Sequence, residues 1–185
     1  MRKIINSTFV TIDAAIESPH LWPSIKSGGD EAYNMHYALL QQCDAVLMGR
    51  RTYESFAAVW PTRSGDSYSD RINAMQKYVV SSTITTPEWN NTSVISGHVV
   101  DAITRLKQQP GKDIVQYGLG DVSFLLMAHG LMDEIRLWVH PLILGQSGPT
   151  QPPFRNCPPS RLHLTNSQTL ANGIAILRYD VESPS

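Results

Sequence analysis

Two cysteines in 185 residues, Cys43 and Cys157, are too few for a disulfide framework, which points to a reducing compartment with both thiols free. Little charge of either sign is left over. Fifteen Lys and Arg stand against sixteen Asp and Glu, a formal charge of -1, so no long-range field gathers nucleic acid or anionic lipid. No run nears the roughly 20 apolar residues that cross a bilayer. The opening MRKIINSTFVTI is too short and polar for the apolar stretch of a signal peptide. A cytoplasmic protein is expected, and the sequons at Asn6, Asn90 and Asn91 then carry no weight. Six scattered histidines show no metal-site spacing with Cys, His or carboxylate, so no metal is expected. What is present, 42% hydrophobic and 17% charged residues, is ordinary for a chain long enough to bury one core.

No repeat or low-complexity block divides the chain. Ser18 to Gly29, Thr62 to Ser69 and Gly145 to Pro159 are rich in Pro, Ser and Gly. They read as loops inside one domain over 1–185, because none separates two halves that each carry a core. Ile4 to Val10 reads as a first strand. Ala32, Met35, His36, Leu39, Leu40 and Cys43 recur at helical spacing and predict an amphipathic helix over Asp30 to Cys43. Ala45 to Met48 is a continuous apolar run, the pattern of a central strand covered on both faces, and Tyr78 to Ser82, Ser93 to Ser96 and Ile114 to Tyr117 resemble it. Val99 to Lys107 and Asp121 to His129 read as helices between strands. Glu134 to Leu144 is a long strand candidate interrupted at Pro141. Arg161 to Leu170 and Gly173 to Val181 flank Ala171-Asn172-Gly173, where Asn-Gly favours a hairpin turn. The pattern predicts a mostly parallel β/α sheet finished by an antiparallel hairpin. In such sheets ligands sit outside the carboxyl ends of the strands, at the topological switch point.

Three strand ends then matter. In Leu47-Met-Gly-Arg-Arg-Thr-Tyr-Glu54 a buried strand runs into Gly49, Arg50, Arg51 and Thr52, then into a helix through Phe56. Glycine lets the backbone approach a ligand, a helix start offers unpaired N–H groups, and forked guanidinium groups match phosphate oxygens. A surface turn with two solvated arginines has the same spacing. Val79 to Thr83 puts Ser81 and Ser82 at a second strand end, to bond phosphate or sugar or to cap a turn. Tyr117-Gly118-Leu119-Gly120-Asp121 again runs strand, glycine, helix. It holds G-x-G, but Ser123 stands where the dinucleotide fingerprint has its third glycine.

Asp44 to Phe56, followed by Trp60-Pro61, resembles the cofactor loop of the dihydrofolate reductase superfamily, and within it the branch containing the reductase domain of bacterial riboflavin biosynthesis. Asp113 to Gly120, His129 to Glu134 and Val139 to Gly145 are similar to that branch's second signature. Ser7 to Ala15 looks like its first strand and turn, with Ala14 where glycine is usual. The resemblance implies a three-layer, dihydrofolate-reductase-like α/β fold with a twisted, mostly parallel eight-stranded sheet. It also implies an oxidoreductase that binds NADPH. Gly49, Arg50, Arg51 and Thr52 would contact the phosphates, and Ser81 and Ser82 would lie near the adenosine ribose and its 2′-phosphate. Gly118, Leu119, Gly120 and Asp121 would follow the pyrophosphate and nicotinamide ribose. Members of the branch are often homodimers.

Hydride transfer asks a protein mainly to orient the reactants, exclude water and supply a proton. The carboxylate of dihydrofolate reductases proper falls, counting back from Gly49, near Tyr33, and the catalytic candidates Asp30 and Glu31 precede it. Acids in a first helical turn are also favoured by the helix dipole, and Asp30 is a natural N-cap. Asp13, at the end of the first strand, either faces the nicotinamide side or bonds its own turn. Trp22, in the loop from Ser18 to Ile25, is the candidate for stacking on a flat substrate or else packs that loop. Gln146, Ser147, Gly148 and Phe154 follow the strand ending at Gly145, where the branch usually has a glycine-rich turn, and the prolines of Pro149 to Pro159 depart from that pattern. No companion deaminase segment or ribose-phosphate site is matched, so a role in riboflavin synthesis is not expected. The reading is an NADPH-dependent reductase of a small, planar or heterocyclic substrate. An NADPH-binding module without turnover is the alternative, and a nucleotide-free structural domain a third. Strand alternation in Glu134 to His140 separates Ile135, Leu137 and Val139 from Arg136, Trp138 and His140. The reading adopted puts Trp138 outward at a homodimer interface, against cover by a helix of the same chain.

Overall fold

The computed structural model describes residues 1–23, 29–145 and 154–183. Ser24 and Ile25 of the first loop and Gln146 to Pro153 of the last lie outside them.

The apolar run read as a central strand is one. β2 (Cys43–Gly49) has parallel neighbours β3 (Gln76–Val80) and β5 (Asp113–Tyr117), and Ala45, Val46, Leu47 and Met48 are all buried. Alternation sends Val46 and Met48 into a core with Leu39, Leu40, Tyr53 and Ile72, and Ala45 and Leu47 into a second core with Ile103, Leu106 and Leu126. Helices α1 (Gly29–Gln42), α2 (Arg50–Ala57) and α3 (Ser67–Ala74) therefore cover one face of the sheet. Helices α4 (Val99–Gln108) and α5 (Asp121–Ala128) cover the other, giving three layers. With β1 (Ile4–Thr11), β4 (Thr92–Ile95), β6 (Glu134–His140), β7 (Leu162–Thr169) and β8 (Ala175–Val181), the sheet has eight strands in the order β4-β3-β2-β5-β1-β6-β8-β7. The pairs from β4 to β6 are parallel, and β8 runs antiparallel to both β6 and β7. The order reverses at β5, inserted between β2 and β1, so the switch point falls at the carboxyl ends of these three strands. Among the described residues no helix is long and apolar enough to cross a membrane.

Several expectations change. The stretch read as a loop over Thr62 to Ser69 contains the start of α3, because the Asp66 carboxylate accepts the N–H groups of Tyr68 and Ser69 and caps a helix there. β6 stops at His140, since Pro141 has no N–H to continue the ladder. Trp138 does not face outward. It is 2% exposed, packed with Ala32, Leu170, Ile174 and Ile176, and its indole N–H donates to Ser7 Oγ at 3.1 Å. His36 of α1 stacks on it with ring centres 3.9 Å apart. A homodimer contact through Trp138 is thereby corrected: α1 of the same chain occupies that face.

Candidate cofactor-binding site

β2 and β5 lie side by side with Met48 paired to Tyr117, so the turns at Gly49 and Gly118 emerge next to each other on the carboxyl edge. Each runs into a helix, Gly49 as N-cap of α2 and Gly120 as N-cap of α5. A Cβ on Gly49 would lie 3.3 Å from Val122 Cγ2, and one on Gly118 would strike Thr52 Oγ1, at a residue whose φ of +81° already favours glycine. Two helix starts thus converge, each with first-turn N–H groups lacking intrahelical acceptors and a positive dipole end. Asp121 is the first residue of α5. At Gly120 the backbone is extended and a Cβ would meet nothing within 4 Å, so the turn borders open space there.

The charges around this spot are unequal. Arg50 Nη1 donates to Glu54 Oε1 at 2.9 Å in an exposed pair one helical turn apart. Arg51 is exposed and has no partner among the described residues, which leaves its guanidinium for a ligand. Ser81, 8% exposed, accepts the N–H groups of Thr83 and Ile84 at 3.1 Å each and so caps its own turn, while Ser82 is exposed. Between α2 and the segment after β3 lies a cleft of about 310 Å³ whose lining includes Tyr53, Ile84, Glu54 and Glu88. Two carboxylates make it a poor seat for phosphate.

Under the Gly118 turn is a polar cluster that the sequence reading missed. The Gly118 carbonyl accepts from Asn6 Nδ2 at 2.9 Å, Gln116 Nε2 at 2.9 Å and Ser123 Oγ at 3.0 Å. Asn6 Nδ2 also donates to Gln116 Oε1, and Thr8 Oγ1 donates to Asn6 Oδ1 at 2.8 Å. The available signal was a lone amide inside each of two apolar strands, Ile4-Ile5-Asn6 and Ile114-Val115-Gln116. A second missed pair stands at the end of β5, where the Tyr117 and Tyr68 hydroxyls are 3.1 Å apart. Burial pushes Tyr68 up to about 12 and Tyr117 well above its ordinary value, so both stay neutral.

The three candidate acids each make contacts of their own or stand exposed. Asp13 accepts the Thr11 hydroxyl at 2.5 Å and the N–H groups of Gly145 and Leu144 at 2.8 and 3.1 Å, clasping the end of β1 to the segment after β6. These bonds hold its carboxyl below the usual range. Asp30 and Glu31 are exposed in the first turn of α1, and Glu31 Oε2 accepts the Ala171 N–H at 3.5 Å, in the hairpin before β8. Trp22 is 3% exposed, donates to the Glu17 carbonyl at 3.2 Å and meets the His140 ring edge-on, so in this conformation it packs its loop. Among the described residues no three His, Cys, Asp or Glu side chains gather as a metal would require.

Fold and turns together place the protein among the dihydrofolate-reductase-like α/β domains. The chain belongs to the RibD C-terminal domain family, whose model matches residues 2–176. YyaP of Bacillus subtilis (strain 168), an uncharacterized protein, is 27% identical over 188 residues, covering 96% of this chain and 94% of its own. A putative riboflavin biosynthesis protein from Shewanella sp. PV-4 superposes with a TM-score of 0.76 at 18% identity, over 97% of this chain and 99% of the other. The riboflavin biosynthesis reductase Rib7 of Saccharomyces cerevisiae superposes with a TM-score of 0.57 at 13% identity, over 98% and 90%.

Proposed function

We propose that the protein is an NADPH-dependent reductase of a small planar or heterocyclic substrate. The observation that carries this is the convergence of two helix starts on adjacent glycine turns at the switch point, with Arg51 exposed and unpaired beside them. Membership of a family whose solved relatives include a riboflavin biosynthesis reductase supports the reductase class. In this reading Gly49, Thr52 and the N–H groups of α2 and α5 hold the phosphates, and Arg51 takes the 2′-phosphate with charge-assisted bonds. Gly120 leaves space for the pyrophosphate. NADPH, when bound, supplies the hydride. The chain's own work is to seat and orient the two reactants and keep water out. With Asp13 held as a carboxylate by its clasp, it is set aside as proton donor, and the neutral Tyr117–Tyr68 pair takes its place as the group beside the turn. A binding module without turnover is the alternative, favoured by that missing acid. Titration of NADPH fluorescence, followed by loss of nicotinamide absorbance against a panel of pteridines, flavins and pyrimidines, separates them. Saturable binding with oxidation of one panel member is expected. Binding without oxidation of any member supports the module, and no binding rejects both.

A further inference from the structure

We propose that Asn6, Gln116 and Ser123 are positioning residues that lock the Gly118–Leu119 peptide, so that the Leu119 N–H is presented to the pyrophosphate of a bound dinucleotide. The inference rests on the cofactor reading above. A carbonyl oxygen has two lone pairs, so the three donors at 2.9, 2.9 and 3.0 Å saturate it. Those donors are themselves fixed. Asn6, Gln116 and Ser123 are 0%, 1% and 0% exposed, and the second Gln116 Nε2 hydrogen is donated to the Tyr117 carbonyl at 3.1 Å. A flip of the peptide would break three hydrogen bonds at once and leave three buried side chains without this acceptor.

The other end of the same peptide carries the consequence. The bond is trans, so the Leu119 N–H points opposite to the Gly118 carbonyl, away from the buried cluster. Leu119 is 7% exposed, yet its N–H has no acceptor among the described residues. A backbone donor with no partner in the fold, beside open space, is free to take an acceptor from outside. It stands one residue before Gly120, where the turn borders open space. Ser123 thereby gains a purpose. In the dinucleotide fingerprint the third glycine permits close approach of helix and strand. Here a serine at that position uses the closeness to bond the carbonyl that sets the turn.

The test uses the whole chain labelled with ¹⁵N, titrated with NADPH and separately with inorganic pyrophosphate. Dissociation constants are measured in parallel for NADPH and for adenosine 2′-monophosphate, which lacks the pyrophosphate. In the wild type both titrants should shift the Leu119 amide resonance. Ser123→Ala removes one buried oxygen and should weaken NADPH about tenfold, the size of one charge-assisted bond, while changing adenosine 2′-monophosphate less than about twofold. Gln116→Met should repeat that pattern, and Ser123→Thr should restore NADPH binding. A Leu119 resonance that stays still while NADPH binds overturns the inference and leaves the cofactor reading standing. So does a Ser123→Ala variant that binds NADPH normally, or one that loses both ligands equally as a general structural defect would. Failure of the wild type to bind NADPH overturns the cofactor reading itself. A Leu119 resonance unmoved by pyrophosphate then overturns the lock as an anion-presenting device as well.

Discussion

Ala14 turns left-handed at φ +63°, a conformation that places its Cβ close to its own backbone. Its N–H donates to the Thr11 carbonyl at 2.9 Å, and the Thr11 hydroxyl receives the Ala15 N–H at 2.8 Å, so the turn is held despite the strain. Ala14→Gly should therefore stabilise the protein by up to about 1 kcal/mol, raising Tm by roughly 2–4 °C in a calorimetric scan. An unchanged or lower Tm would show that the turn carries no such strain. Gly120 gives the opposite kind of test. Its extended backbone tolerates any residue and a Cβ there meets no protein atom. Gly120→Val should keep the circular dichroism spectrum and weaken NADPH by about an order of magnitude or more, since the new side chain fills the space the cofactor needs. A folded variant with normal affinity would remove this turn from the site. At this scale the sequence located the Gly49 and Gly118 turns, because a strand running through glycine into a helix is a local pattern. For Asn6 and Gln116 it held only a lone amide in each strand, because the pairing of β1 with β5 is what brings Asn6 to the Gly118 carbonyl.

Among the elements, α1 on β6 shows both how a pattern is read and how it misleads. The helical spacing of Ala32, His36, Leu39 and Leu40 located the helix, and alternation located the two faces of β6. Neither could say which face α1 would cover, because that is decided by where the crossover from β1 to β2 lays the helix. The result is a cluster in which His36 stacks on Trp138 and Phe9 meets His36 and His140 edge-on. Burial, with His140 beside it, pushes His36 down to about 3, and burial lowers His140 as well. In the unfolded chain a histidine titrates near 6.5, so below that pH the unfolded state takes up protons that the fold refuses. Stability is therefore complete above about pH 6.5 and falls as pH falls, by up to about 1.4 kcal/mol per pH unit for each such histidine. Urea unfolding at pH 7, 6 and 5 should show this slope. It should be shallower in His36→Phe, which keeps a ring on Trp138. Equal slopes for the two proteins would mean that His36 titrates alike in both states. Helix α3 was illegible for another reason. Its N-cap, Asp66, sits in a Ser- and Gly-rich run whose composition is that of a loop.

For the whole molecule, the alternation of apolar runs and helical stretches gave the parallel sheet and the closing hairpin, because each β/α unit must bury both faces of its strand. What a strand pattern cannot give is the order β4-β3-β2-β5-β1-β6, and with it the adjacency of the Gly49 and Gly118 turns. The homodimer expected from the resemblance needs a surface other than Trp138. Edge strand β7, with all eight residues exposed and Leu162 and Leu164 at 40% and 48%, is the surface offered. Leu164→Lys should convert a light-scattering mass of two chains into one, and a monomeric wild type at micromolar concentration would reject the dimer. The central claim, that the converging turns and Arg51 form an NADPH site, is tested most directly by titrating the wild type with NADPH and with NADH. One charge-assisted contact contributes roughly 1.5–3 kcal/mol, so NADPH should bind at least about tenfold more tightly, and Arg51→Ala should narrow that gap. Equal dissociation constants for the two cofactors, or no saturable binding of either, would contradict it.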